Sequence, residues 1–143
     1  SAPLNMVIST TGAAKAVAKA LPELKGLLTG NAIRVPTPNV SMAIMNLNLN
    51  KATDKEALND YLRNISLNSP LQNQVDYTAS TEIVSTDLVG SRYAGVVDSQ
   101  ATIVDADRAV LYVWYDNEFG YSCQVVQVML EMAGITVPTL PLK

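Results

Sequence analysis

From Ala109 to Ser122 the chain changes its period without a break. Leu111, Val113 and Tyr115 alternate with Tyr112, Trp114 and Asp116 in the two-residue repeat of a strand, and from about Gly120 the apolar positions take helical spacing. A strand over 109–115 therefore runs straight into a helix over about 120–133, with Asn117 at the junction and Tyr121 one helical turn further on. An amide that donates and accepts, next to an aromatic ring with a polar tip, suits a planar polar ligand. A turn capped by Asp116 or Asn117 and filled by core aromatics accounts for the same residues.

A second long strand is written into Ser41 to Asn50, where Met45, Leu47 and Leu49 face one way and Asn46, Asn48 and Asn50 the other. Shorter β-rich runs follow at Val75–Thr78, Ile83–Ser85, Ala94–Val97 and Ala101–Val104, and Asp105-Ala106-Asp107-Arg108 reads as a hairpin loop. Ala32–Val35 is a short strand stopped by Pro36 and Pro38. The helices are an amphipathic stretch with Ala14, Val17, Leu21 and Leu24 on one stripe and Lys15 and Lys19 outside, a second from about Asp54 to Leu67, and the last one. The second follows a Ser/Thr-x-x-Glu capping box, Thr53-Asp54-Lys55-Glu56, and buries Leu58, Leu62 and Ile65. In the last, Val125, Val128, Met129 and Met132 form the apolar stripe, Gln124, Gln127 and Glu131 lie outside, and Gly134 is placed to cap. The tail from Thr136 has two prolines and no period. This pattern predicts an α+β fold with a mostly antiparallel sheet and helices packed on one face.

Composition excludes several classes of function. The 143 residues are 48% hydrophobic and 16% charged, enough for one core, and the longest apolar runs are too short to span a bilayer. A net charge of −3 with scattered lysines and arginines argues against nucleic acid. One cysteine, Cys123, fits a reducing, cytoplasmic setting, and the absence of histidine removes the commonest general base and most metal sites. Cys123 has no histidine to activate it and reads as structural, and no metal or catalytic residue is expected in the chain.

Two further stretches can hold an anion. Ser9-Thr10-Thr11-Gly12 opens the first helix, where free N–H groups, a hydroxyl and a glycine suit an oxyanion, or simply supply a Ser/Thr cap. Arg34, at a strand end beside a proline-stiffened turn, is a fork for phosphate or carboxylate, or else a surface charge.

Taken together, Ser9-Thr10-Thr11-Gly12-Ala13-Ala14-Lys15-Ala16-Val17, Arg34-Val35-Pro36-Thr37-Pro38-Asn39-Val40-Ser41 and Trp114-Tyr115-Asp116-Asn117-Glu118-Phe119-Gly120-Tyr121-Ser122 resemble the C-terminal catalytic domain of phosphorylating glyceraldehyde-3-phosphate dehydrogenase, in a bacterial form. The resemblance covers essentially all of residues 1–143. It implies a cytoplasmic, homotetrameric oxidoreductase of glycolysis that converts glyceraldehyde 3-phosphate, inorganic phosphate and NAD to 1,3-bisphosphoglycerate. Thr11 and Gly12 would bind inorganic phosphate, Arg34 the substrate's phosphate, Asn117 the nicotinamide carboxamide, and Tyr121 would pack on the nicotinamide ring. In the family a cysteine thiolate activated by histidine attacks the aldehyde, and both residues, with the Rossmann NAD-binding domain, lie upstream of this region. The expectation is a C-terminal portion truncated before that cysteine and histidine, incomplete at its N-terminal side and inactive alone. An erythrose-4-phosphate dehydrogenase, or a non-catalytic binding or assembly module, are the alternatives.

Overall fold

The computed structural model describes residues 4–136. The chain divides after Pro38 into two compact units.

The first unit is a two-stranded ribbon with one helix. Strand β1 (Val7–Thr10) pairs antiparallel with β2 (Asn31–Arg34), Val7 opposite Arg34 and Thr10 opposite Asn31. Between them runs α1 (Ala13–Ala20), followed by a 3-10 turn over Pro22–Leu24. The predicted stripe through Leu21 and Leu24 thus outruns the helix. Pro22 cannot continue an α-helical hydrogen-bond ladder, so the chain tightens into the shorter turn and Leu21 is left as the C-cap.

The second unit is a five-stranded sheet with two helices. Its ladder runs β3 (Ser41–Asn48), β7 (Arg108–Tyr115), β5 (Gly95–Asp98), β4 (Val75–Thr78), and β6 (Ile103–Asp105) pairs with β7 beside β5. Strand β7 sits at the centre, with both of its edges paired. Pairing is antiparallel except between β4 and β5, which run parallel. The 79–94 connection that allows this contains a 3-10 turn at Ser85–Leu88, where a strand over Ile83–Ser85 was predicted. The Asp87 carboxylate accepts the Val84 N–H at 2.9 Å and closes that turn instead of leaving the amide to a sheet partner. The fold is α+β, with a mixed, mostly antiparallel sheet, and its buried apolar residues are Val40, Val96, Val97, Ala109 and Leu111.

Helix α2 (Lys55–Asn68) packs on β4 and half-buries Leu58, Leu62 and Ile65 as predicted. Its cap falls one residue later than the capping-box motif suggests: Asp54, not Thr53, is the N-cap, and its carboxylate accepts the Ala57 N–H at 2.8 Å.

Helix α3 (Phe119–Met132) is turned over relative to expectation. Its inward residues are Gly120, Cys123, Gln124, Gln127 and Leu130, whereas Met129 and Met132 are 63% and 83% exposed and Val125, Val126 and Val128 are open too. The glutamines decide the facing. Gln124 Nε2 donates to the Arg92 carbonyl at 3.0 Å and Gln127 Nε2 to the Asn73 carbonyl at 3.2 Å, satisfying backbone acceptors that an apolar face would have left unpaired. The proline-containing tail lies outside the described residues apart from Thr136.

Candidate functional site

In the first unit the ribbon register gathers the proposed anion ligands on one face. Val7 and Ser9 project together from β1 with Thr11 next in the alternation, and Arg34 stands diagonally across from Ser9. Arg34 Nε donates to Ser9 Oγ at 3.3 Å, and among the described residues no carboxylate forms an ion pair with this guanidinium. Thr11 Oγ1 accepts the Ala13 N–H at 3.2 Å in a local turn at the helix start, one residue before the N-cap, Gly12. Gly12 has an ordinary φ of −86°, and a Cβ there would meet nothing within 4 Å. The glycine is therefore not demanded by backbone conformation or crowding. A hydroxyl at the helix start and a guanidinium without an ion pair among the described residues make a surface suited to an oxyanion.

In the second unit the chemistry centres on Asp116, which is 2% exposed. One carboxylate oxygen accepts the N–H groups of Glu118 at 2.9 Å and Phe119 at 2.8 Å, capping α3. The other accepts Gly90 N–H at 2.9 Å and Asn39 Nδ2 at 3.1 Å. The Gly90 amide first, then the Phe119, Asn39 and Glu118 donors, hold this carboxyl below its ordinary value of 3.8 against the opposing push of burial. Asp116 thereby pins the backbone on which Asn117 sits. The Asn117 carboxamide is exposed, and its Oδ1 accepts the Ser41 hydroxyl at 2.7 Å. Tyr121, in the first turn of α3, is 69% exposed, so both the amide and the ring are open to a ligand.

The structure thus places Thr11, Gly12 and Arg34 in one unit and Asn117 and Tyr121 in the other. Three supporting residues escaped sequence reasoning: Ser9 as the partner of Arg34, and Ser41 and Asn39 behind Asn117 and Asp116. Only Ser9 carried a signal, its position two residues before Thr11 on the same strand face. Cys123 is a half-buried free thiol on α3, and no group of three acidic, cysteine or histidine residues among the described residues could hold a metal. Nor is any described helix long and apolar enough to cross a membrane. Clefts beside Asn46, Ile103 and Arg108 and beside Gln127, Glu131 and Ile135 involve none of these residues.

The family described as glyceraldehyde 3-phosphate dehydrogenase, C-terminal domain, matches residues 1–117. The chain belongs to the glyceraldehyde 3-phosphate dehydrogenase family. A "Glyceraldehyde-3-phosphate dehydrogenase-like protein" of Pseudomonas aeruginosa (strain UCBPP-PA14) is 70% identical over 141 residues, 99% of this chain and 31% of its own length. Glyceraldehyde-3-phosphate dehydrogenases of Glossina morsitans morsitans and Schistosoma mansoni are 44% and 42% identical over 129 residues, 90% of this chain and 38% of theirs. The chain therefore spans between 31% and 38% of the length of these glyceraldehyde-3-phosphate dehydrogenase relatives. Membership assigns it to a family of oxidoreductases, matching that family's C-terminal domain.

Proposed function

We propose that this chain supplies the phosphate-binding and nicotinamide-contacting residues of an NAD-dependent glyceraldehyde-3-phosphate dehydrogenase, as the C-terminal portion of its catalytic domain. The observation that carries the reading is the ribbon face of the first unit, where Ser9, Thr11 and Arg34 line up beside the start of α1. Arg34 is assigned the phosphate of glyceraldehyde 3-phosphate. Thr11 and Gly12 are assigned the inorganic phosphate.

The residues of the second unit fit a nicotinamide. An exposed carboxamide with one acceptor lone pair already engaged can hydrogen-bond a ligand carboxamide, and an exposed phenol ring offers a flat apolar surface. NAD, when bound, supplies the hydride acceptor. Asn117 orients its carboxamide end and Tyr121 supports one ring face. The 143 residues contain no histidine, and their cysteine lies half-buried on α3, so the thiolate and base that the family uses come from elsewhere in the protein. The purified chain alone should not reduce NAD. The reading includes homo-oligomeric assembly in the cytoplasm.

In the full-length protein, Arg34→Leu is expected to raise KM for glyceraldehyde 3-phosphate by about tenfold or more, on the order of a lost charge-assisted pair. An unchanged KM removes Arg34 from the site. Equal or better turnover of erythrose 4-phosphate would move the substrate assignment to that aldehyde.

A further inference from the structure

Val40 breaks a backbone rule immediately before the strand that carries Ser41. Its φ is 71°, in the left-handed region, although it is β-branched and only 5% exposed. Such a residue persists only where its surroundings over-determine it, and strain of this kind concentrates at ligand sites. The surroundings are explicit. The Asn39 side chain accepts the Val40 N–H at 2.7 Å and, from its other end, donates to Asp116 at 3.1 Å. On the far side of the strained residue, Ser41 donates to Asn117 at 2.7 Å. Two positions flanking the strained valine, Asn39 and Ser41, thus clasp two consecutive positions, Asp116 and Asn117, at the end of the neighbouring strand. The β3–β7 ladder does not need it, because its pairing begins only at Ser41 opposite Tyr115.

We propose that Asn39, Val40 and Ser41 form a positioning clip that holds the Asn117 carboxamide in one orientation, Ser41 directly and Asn39 through Asp116. A solvent-exposed amide with no fixed neighbour can turn end for end; a hydroxyl anchored at 2.7 Å keeps its oxygen toward the protein and leaves the remainder of the amide set for a planar carboxamide. The clip stands on geometry alone. Its benefit to a ligand rests on the nicotinamide reading.

The test uses Ser41→Ala, Ser41→Thr and Asn117→Ala in the full-length protein, with calorimetric binding of NAD and of ADP-ribose, which lacks the nicotinamide. Ser41→Ala is expected to weaken NAD about threefold to tenfold, as for loss of one supporting hydrogen bond, and to leave ADP-ribose unchanged. Ser41→Thr, which keeps the hydroxyl, should stay within about twofold of the parent. Equal weakening of both ligands by Ser41→Ala means general damage and overturns the clip. So does an unaffected NAD affinity when Asn117→Ala has lowered it, in which case the nicotinamide reading survives. Should Asn117→Ala leave NAD unchanged, that reading fails and the clip is decided by crystallography. In ligand-free Ser41→Ala crystals the Asn117 amide should occupy more than one orientation, and one undisturbed orientation overturns the proposal.

Discussion

A methyl group on Gly120 would stand 2.8 Å from the Tyr93 carbonyl oxygen and 3.1 Å from that of Ser91. Both obstacles are backbone, so neither can swing aside, and the start of α3 lies directly against the 91–93 segment because residue 120 has no side chain. Helix propensity alone favours alanine by up to about 1 kcal/mol. The overlap should win. Gly120→Ala is expected to lose roughly 1–3 kcal/mol in urea unfolding, the usual range for overpacking, and a stabilised variant would show that the two segments do not meet.

Asp116 makes stability depend on acid. Its folded pKa is depressed, so the stabilisation is complete above the unfolded value of about 3.9 and is lost as pH falls from there through the lower folded value. Asp116→Asn removes acceptors from buried N–H donors and should cost about 1–3 kcal/mol at pH 7. Unfolding midpoints of parent and variant, followed from pH 7 to pH 2.5, should converge below pH 4. Parallel curves would contradict the assignment.

At the start of α2 the two candidate caps can be separated. Asp54→Ala loses the bond to Ala57 and should cost about 1 kcal/mol, whereas Thr53→Ala should change stability by less than half of that. Chemical denaturation of the two variants checks it, and the reverse order would restore Thr53 as the cap.

The hairpin between β6 and β7 turns on Ala106, whose φ is 56°. Left-handed backbone costs an alanine about 1 kcal/mol relative to glycine, partly offset by the looser unfolded chain that glycine brings. Ala106→Gly should therefore raise the melting temperature slightly. A drop would mean that the alanine methyl contributes more than its strain costs.

What could be read from the residues alone follows the range of the forces involved. Strand β4 and the end of β7 at Tyr115 fall where alternation and β-branched content place them, because both depend on neighbours a few positions away. Arg34, Thr11 and Asn117 were legible as chemistry, since residue type and element ends are local too. The facing of α3 was not. Its Val125, Val126, Val128, Met129, Leu130 and Met132 surround so much of the helix that periodicity cannot choose a side, and the choice is made by Asn73 and Arg92, far away in sequence. Val40 looks like any strand valine until Asn39 and Asp116 are brought together across 77 positions. The residues that hold Asn117 and Asp116 in place were hidden for that reason, whereas the proposed ligand contacts were readable from residue type.

The bond from Ser41 to Asn117 joins positions 76 apart. Closing so large a loop is slow compared with forming a helix or the β6–β7 hairpin, and nothing rewards it until the β3–β7 ladder zips into register. A one-residue slip in that ladder would turn Ser41 to the opposite face. On the nicotinamide reading proposed above, ligand competence would therefore come late in the life of each newly made molecule: α2 and the hairpin can form early, but the amide at 117 acquires its partner only when the two longest strands have found each other, so binding would report on completed folding rather than on helix content.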